Sequence, residues 1–597
     1  MHDNSKQKLH SAVTRRRFIQ GAAASAFVLG TMRTTSFAQA PAQTVLHGPE
    51  LRLSIGSTTV SFTGRSRPAT VVNGQIPGPL LRLREGDTAT LHVTNHLRAR
   101  SSVHWHGLIV PADMDGVPGL SFDGIAPGET YSYRFKVNQH GTYWYHSHSR
   151  FQEQTGLYGP LVIEPRNGER FPADREYVLL FSDWSDLDPE RIFASLKKQS
   201  DYFNMRQRTV GDFVRDVRER GWSQAAADRR MWGEMRMNAT DLADVSGYAY
   251  TYLLNGMTPN SNWTGVFNRG ERVRLRLING SSMSIFDLRI PGLKLTVVAA
   301  DGQDIEPVTV DELRISAAET YDVIVEPSDD RAYTIFAQSM DRTGYARGTL
   351  TPRVGLEAEV PALDAPVLLT MMDMGMAHDM GSGGPPQDAH ANHQAADPHA
   401  NHAGHGGASS QQTAKLEQHD AAEFGPLVDS RAEQVSKRLD DPGVGLRDNG
   451  RRVLTYADLH TIGGPIDRRE PGREIVLHLT GHMDRFAWSF NGRKFSEAEP
   501  LRFNHGERLR ITLVNDSMMT HPIHLHGMWS EIETPDGEFQ VRKHTVNVNP
   551  AQQISYAVTA DALGRWAYHC HLLYHMEAGM FREVHVTHEH DHTGEHP

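Results

Sequence analysis

His569-Cys570-His571-Leu572-Leu573-Tyr574-His575-Met576-Glu577-Ala578-Gly579-Met580 contains the only cysteine in a chain of 597 residues. Histidine flanks that cysteine on both sides, His575 follows five residues later and Met580 ten residues later. One Cys, two His and a weak Met make up the ligand set of a blue-copper electron-transfer site. The flanking histidines have another destination. Neighbouring side chains of a β-strand point to opposite faces, so if Cys570 faces one metal, His569 and His571 together face a different region. The stretch reads as a wire, with a one-electron acceptor on one face and a second metal centre on the other.

Three more histidine motifs lie upstream: His104-Trp105-His106-Gly107, Tyr145-His146-Ser147-His148 and His521-Pro522-Ile523-His524-Leu525-His526-Gly527. With 33 His in the chain, chance supplies about two His-x-His pairs, so one pair carries little weight. Four pairs in strand-like contexts, two near each end of the folded region, are a strong signal. On a regular strand His524 and His526 share a face while His521 points the other way. That parity sends His521 to the Cys570 site with His575 and an axial Met580, a closed one-copper centre. The second centre collects His104, His106, His146, His148, His524, His526, His569 and His571. Eight imidazoles are too many for one ion and suit three coppers with open positions for a small molecule. Together with the first site such a cluster can deliver four electrons, the number needed to reduce O2 to two waters.

These four motifs resemble those of multicopper oxidases, across residues 45–165 and 450–585 and, by its order in the chain, the region between. Within that family the chain is most similar to a periplasmic copper-resistance group, on its leader, its Met/His-rich insert and Met580. The resemblance implies an all-β fold of three cupredoxin-like Greek-key β-sandwich domains. It also implies a type 1 copper at His521, Cys570, His575 and Met580, and a type 2 copper at His104 and His524. A type 3 pair would sit at His106, His146, His148, His526, His569 and His571. Asp115 matches an acid that some members place near the three-copper cluster as a proton donor; its other reading is a turn-forming Asp-Gly. Several bacterial members place Glu directly after the last type 1 histidine, where this chain has Met576, and laccase-like members carry an acid at the position of Glu577.

The rest of the chain sets the frame. A net charge of -11 argues against nucleic acid as a partner, and one cysteine cannot make an internal disulfide. Thr14-Arg15-Arg16-Arg17-Phe18-Ile19 resembles a twin-arginine export signature, followed by a short apolar run and Ala38-Gln39-Ala40 as a cleavage site. That run is far short of the roughly 20 residues of a bilayer span. Residues 1–40 are therefore expected to be a signal peptide directing a monomer to the periplasm through the twin-arginine machinery. Short alternating runs separated by turn clusters predict sandwiches at 45–165, 172–360 and 450–585. The second carries a small helical insert, read from Ile192, Phe193 and Leu196 and from Phe213, Val214 and Val217, expected to pack on its own domain. Residues 365–445, crowded with Met and His among Gly and Ala, are expected to be a disordered linker able to hold Cu(I). Residues 586–597 form a His-rich tail. The expected activity is one-electron oxidation of Cu(I), and also of small phenols, coupled to four-electron reduction of O2. The alternative is a copper-sequestering protein that uses the Met/His-rich segments.

Overall fold

Strand Glu50–Val60 buries Leu51, Leu53 and Ile55 and turns the residues between them outward, the period-two pattern of a half-buried strand. Strands Val273–Asn279 and Tyr333–Ser339 are buried along their whole length, the first against strand Gly141–His146 of the neighbouring sandwich and the second under the segment that carries Glu359 and Asp364. The computed structural model describes residues 44–376 and 417–588, and in them 31 strands form six sheets. The sheets pair into three sandwiches whose strands fall within residues 45–164, 175–351 and 474–587. The fold is all-β with Greek-key crossings, since strand order within each sheet skips from one part of the sequence to another.

The second and third sandwiches have the same strand order, position for position, in both of their sheets. In the second, Arg175–Ser185 runs parallel to Val273–Asn279, which pairs antiparallel with Thr320–Val325. In the third, the same roles fall to Glu474–His482, Arg508–Asn515 and Gln553–Thr559. The first sandwich repeats that trio with Glu50–Val60, Thr88–Asn95 and Thr130–Lys136. An asparagine ends the middle strand of each trio. Asn95, Asn279 and Asn515 each send Nδ2 to two main-chain carbonyls and accept a main-chain N–H two residues on. This repeated device pins the crossing between the two sheets of every sandwich, and it makes the chain a threefold repeat of one motif.

Three helices, Pro189–Leu196, Val210–Arg220 and Trp222–Glu234, interrupt the second sandwich. The first of them does not pack on its own sandwich alone. Phe193 stacks on Tyr574 and meets Phe486, and Lys197 donates to the Phe486 carbonyl. Val214 of the second helix is exposed, so the apolar spacing there does not mark a core face.

The expected linker is also revised. Residues 377–416 and the tail from 589 lie outside the described residues, but the flanks 365–376 and 417–445 are not disordered. They carry Leu369, Met374, Val428, Ala432, Leu439 and Val444, which are buried against the sandwiches. Residues 451–462, expected to open the last sandwich, run along the second instead, where Val453 bridges Glu312 and Thr461 bridges Ile305.

Asn279 lies in the sandwich without paired histidines, so it tests the repeated device alone. Asn279→Ala strands two buried carbonyls and one N–H and should destabilise that sandwich by about 3 kcal/mol. A lower melting temperature with unchanged copper content is the expected result of calorimetry and metal analysis.

Candidate metal centre

Adjacent strands of the first and third sandwiches carry the histidine pairs. His104–His106 lies beside Gly141–His146 with His104 opposite His146, and His521–Leu525 lies beside Gly564–Cys570 with His524 opposite His569. The equivalent strands of the second sandwich, Phe286–Arg289 and Tyr333–Ser339, place Phe286 opposite Ser339 and carry no histidine. Rings from the two sandwiches interleave. His104 and His526 lie 4.0 Å apart between ring centres, and His106 and His524 lie 3.9 Å apart. His148 is partly buried and the other seven rings are buried.

The hydrogen bonds of five of these rings fix where their protons sit. His104 Nδ1 donates to the Asp115 carbonyl at 2.8 Å, His524 Nδ1 to the His544 carbonyl at 2.6 Å and His569 Nδ1 to the Cys570 carbonyl at 2.9 Å. His526 Nδ1 donates to Asp115 Oδ2 at 2.9 Å, and His146 Nδ1 lies 2.6 Å from Glu153 Oε2. A neutral ring held this way carries its proton on Nδ1 and a bare lone pair on Nε2. The Nε2 atoms of His104, His148 and His524 have no hydrogen-bond partner. Those of His526 and His569 face each other at 3.1 Å, and those of His146 and His571 at 3.4 Å. His106 is turned round: its Nε2 meets His544 Nδ1 and Thr545 Oγ1, leaving Nδ1 without a partner. The His526 and His569 nitrogens are both bare lone pairs, which cannot hydrogen-bond to each other, and a cation between them satisfies both.

Burial, then the neighbouring rings, hold His106, His146, His148, His524, His526 and His571 well below the ordinary imidazole range. Burial also brings His569 down to about 4. Neutral imidazoles are the form that binds metal.

Cys570 lies on the other face of its strand. Its Sγ is 3.5 Å from His521 Nδ1 and 3.7 Å from His575 Nδ1, and those two nitrogens are 3.2 Å apart. The outer nitrogens are tied: His521 Nε2 to Ser517 Oγ at 2.7 Å and His575 Nε2 to Asp244 Oδ2 at 2.7 Å. These three ligand atoms converge on one space, closed over by Trp488, which stacks on His575 at 4.0 Å. Burial pushes the Cys570 thiol up and the His521 imidazole down. Met580 is fully buried, and its main chain closes the loop: its N–H donates to the His575 carbonyl and its carbonyl accepts from Cys570.

Asp115 is buried and is more than a turn residue. Its carboxylate and its carbonyl hold rings from two sandwiches, and Oδ1 accepts no hydrogen bond. Glu577 is elsewhere engaged: its carboxylate pairs with Arg150, which also holds Glu190. Nothing in its hydrogen bonding joins it to the histidine set. Sequence reasoning missed three residues. His544 joins His106 and His524 in a group of facing ligand atoms. Glu153 orients His146, with Oε1 unpartnered, and burial pushes its pKa well above the carboxylate range. Asp244, from the helical insert's end of the second sandwich, anchors His575. A lone His or acid outside a motif gives no signal of such a role.

The multicopper oxidase family matches this chain over residues 54–168, 175–353 and 468–590. The chain belongs to that family. It is 60% identical over 583 residues to a copper resistance protein A homolog of Pseudomonas syringae pv. tomato, covering 96% of this chain and 99% of that one. It is 57% identical over 605 residues to copper resistance protein A of Escherichia coli, with 96% and 99% covered. Two solved structures share the fold: Fet3p, a multicopper oxidase that functions in iron import (TM-score 0.61, 20% identity, 91% and 90% covered), and the laccase of Botrytis aclada (0.60, 21%, 93% and 90%). The family's cofactor is four copper ions of types 1, 2 and 3. The unpartnered nitrogens, the facing lone pairs and the single thiol fit that complement.

Two outcomes follow. In the copper-free chain the depressed histidines stay neutral when folded and take up protons near pH 6.5 when unfolded, so the unfolded state binds more protons. Stability should therefore fall as pH drops through about 6.5, seen as a lower melting temperature at pH 5 than at pH 7.5. Glu153→Ala should weaken copper retention at the histidine cluster about 10–100-fold while sparing the blue absorption of the Cys570 site.

Proposed function

We propose that this chain is a periplasmic oxidase that takes single electrons from Cu(I) and reduces O2 to water, and that it serves copper resistance. The observation that carries this reading is the set of imidazole ligand atoms converging on both sides of Cys570. In this reading His521, Cys570, His575 and Met580 hold the type 1 copper, and His104 and His524 the type 2. His106, His146, His148, His526, His569 and His571 hold the type 3 pair. When bound, the four ions supply four one-electron carriers and open positions for O2.

The protein's own part is positional. Cys570 is bonded through the main chain to His569 on one side and His571 on the other, so the acceptor and the cluster are one residue apart in the chain. Trp488 and Met580 keep water from the thiol, and Asp244 fixes the ring of His575. Asp115 Oδ1 and Glu153 Oε1 are buried carboxylate oxygens that accept no hydrogen bond at the histidine set, and there a proton can be held for the forming water. Glu577 is proposed as a fastener through Arg150 rather than as a proton donor.

The names of the relatives and the soft ligands of the Met/His-rich segment favour Cu(I) over phenols as reductant. No helix among the described residues is long and apolar enough to cross a membrane, and the twin-arginine leader supports export as a folded monomer. Cys570→Ser should abolish the intense blue band and O2 uptake with Cu(I), leaving the cluster copper in place. Removing residues 377–410, outside the packed flank at Met374, should raise KM for Cu(I) and leave phenol oxidation intact. Copper held only in weak, colourless stoichiometry, untouched by Cys570→Ser, would replace the oxidase with a copper store.

A further inference from the structure

A second set of facing ligand atoms lies outside both histidine sites. His419 and Glu423 belong to the segment that re-enters the described structure at residue 417, Glu423 within the short helix Ala421–Phe424. His478 sits on strand Glu474–His482, and Asp516 directly follows the parallel neighbour Arg508–Asn515. His419 Nδ1 is 2.9 Å from Glu423 Oε2 and 3.6 Å from Asp516 Oδ2. His478 Nδ1 is 2.8 Å from Asp516 Oδ2 and 3.6 Å from Glu423 Oε2. The two rings meet at 5.1 Å, and the side chains are 10%, 1%, 6% and 0% exposed for His419, Glu423, His478 and Asp516.

Two nitrogens and two carboxylate oxygens thus alternate around one small space. A tetrahedral ion held at about 2.0–2.1 Å by N and O ligands needs them about 3.3 Å apart, and the four spacings straddle that value. The far sides of His419 and Asp516 are already fixed. His419 Nε2 lies 3.2 Å from the Ala432 carbonyl, which can only accept, so Nε2 carries the proton. Its Nδ1 faces the Glu423 carboxylate at 2.9 Å. Asp516 Oδ1 accepts from the Ala432 N–H, leaving Oδ2 for the shared space. Such outer hydrogen bonds are how metal ligands are oriented.

We propose that His419, Glu423, His478 and Asp516 form a site for one divalent cation, Cu2+ or Zn2+, separate from the four coppers of the oxidase. Two imidazoles and two carboxylates with no sulfur suit a borderline divalent ion and not Cu(I). The site therefore takes the oxidised form of copper, at the point where the chain leaves the Met/His-rich segment. It stands on its own geometry and does not depend on which reductant the oxidase uses.

The test uses the full holoprotein with its four coppers in place. Crystals soaked in equimolar Zn2+, and separately in Cu2+, are measured for anomalous scattering at each metal's edge. One peak between the four side chains is expected, and the relative strength of the two arms identifies the preferred ion. In solution the wild type should retain one more Zn2+ per chain after desalting than Glu423→Gln or the double variant His419→Gln/His478→Gln. The near-isosteric Glu423→Gln guards against a folding defect, which would show as a lost blue band. No peak with either ion, together with equal metal retention in wild type and variants, overturns the site and leaves a charged His–carboxylate quartet that only fastens the segment.

Discussion

Buried imidazoles whose outer nitrogens already donate are the constraint on which this structure depends. Once His526 gives its Nδ1 proton to Asp115, and His569 gives its own to the Cys570 carbonyl, their Nε2 atoms face each other with nothing to share. In water such rings would turn away or take up a proton. Here strands fix the rings from behind and burial opposes protonation, so the conflict is kept. A fold that holds several lone pairs in opposition at once has given up stability in the empty state for readiness to bind.

The β-sheet makes this possible because it separates two chemistries by one residue. Cys570 and His569 are neighbours on one strand, yet one joins a closed, apolar pocket under Trp488 and the other a cluster shared with a distant sandwich. A helix, with its 3.6-residue period, would spread the same three residues around its axis and lose the two-sided arrangement. The second sandwich keeps the frame without the ligands and contributes Asp244 and the Phe193 helix to the wall around His575.

Much of this was legible in the sequence. The four histidine motifs mark strands or strand ends, because side chains on one face of a strand recur at a spacing of two. Parity separated His521 from His524, and it holds even across Pro522, since that residue stays within the strand. What could not be read were the residues that act singly and through space: Asp244 on His575, Glu153 on His146, and His544 beside His106. Each lies far from its partner in sequence or has no periodic neighbour. The threefold repeat was hidden for a related reason. Its signature is one asparagine per copy, carried in different contexts at Thr94-Asn95-His96, Ile278-Asn279-Gly280 and Val514-Asn515-Asp516. The misread flanks around residues 365–376 and 417–445 show the limit of composition. Scattered Leu, Val and Met in a polar stretch are enough to seat it on a neighbour.

The sharing of the histidine cluster between the first and third sandwiches has a mechanical consequence. His106 and Thr545, hydrogen-bonded across the cluster, are 439 residues apart in the chain. Held as proposed, ions between the sandwiches would act as a clasp on the two ends of a ring, with the second sandwich as its back. To open, the loaded molecule must release several ligands at once, whereas the empty one need only separate its two facing surfaces. Metal occupancy would then set how long the molecule lasts among proteases as well as what it does, and a chain that had lost its ions would be the one most easily cleared.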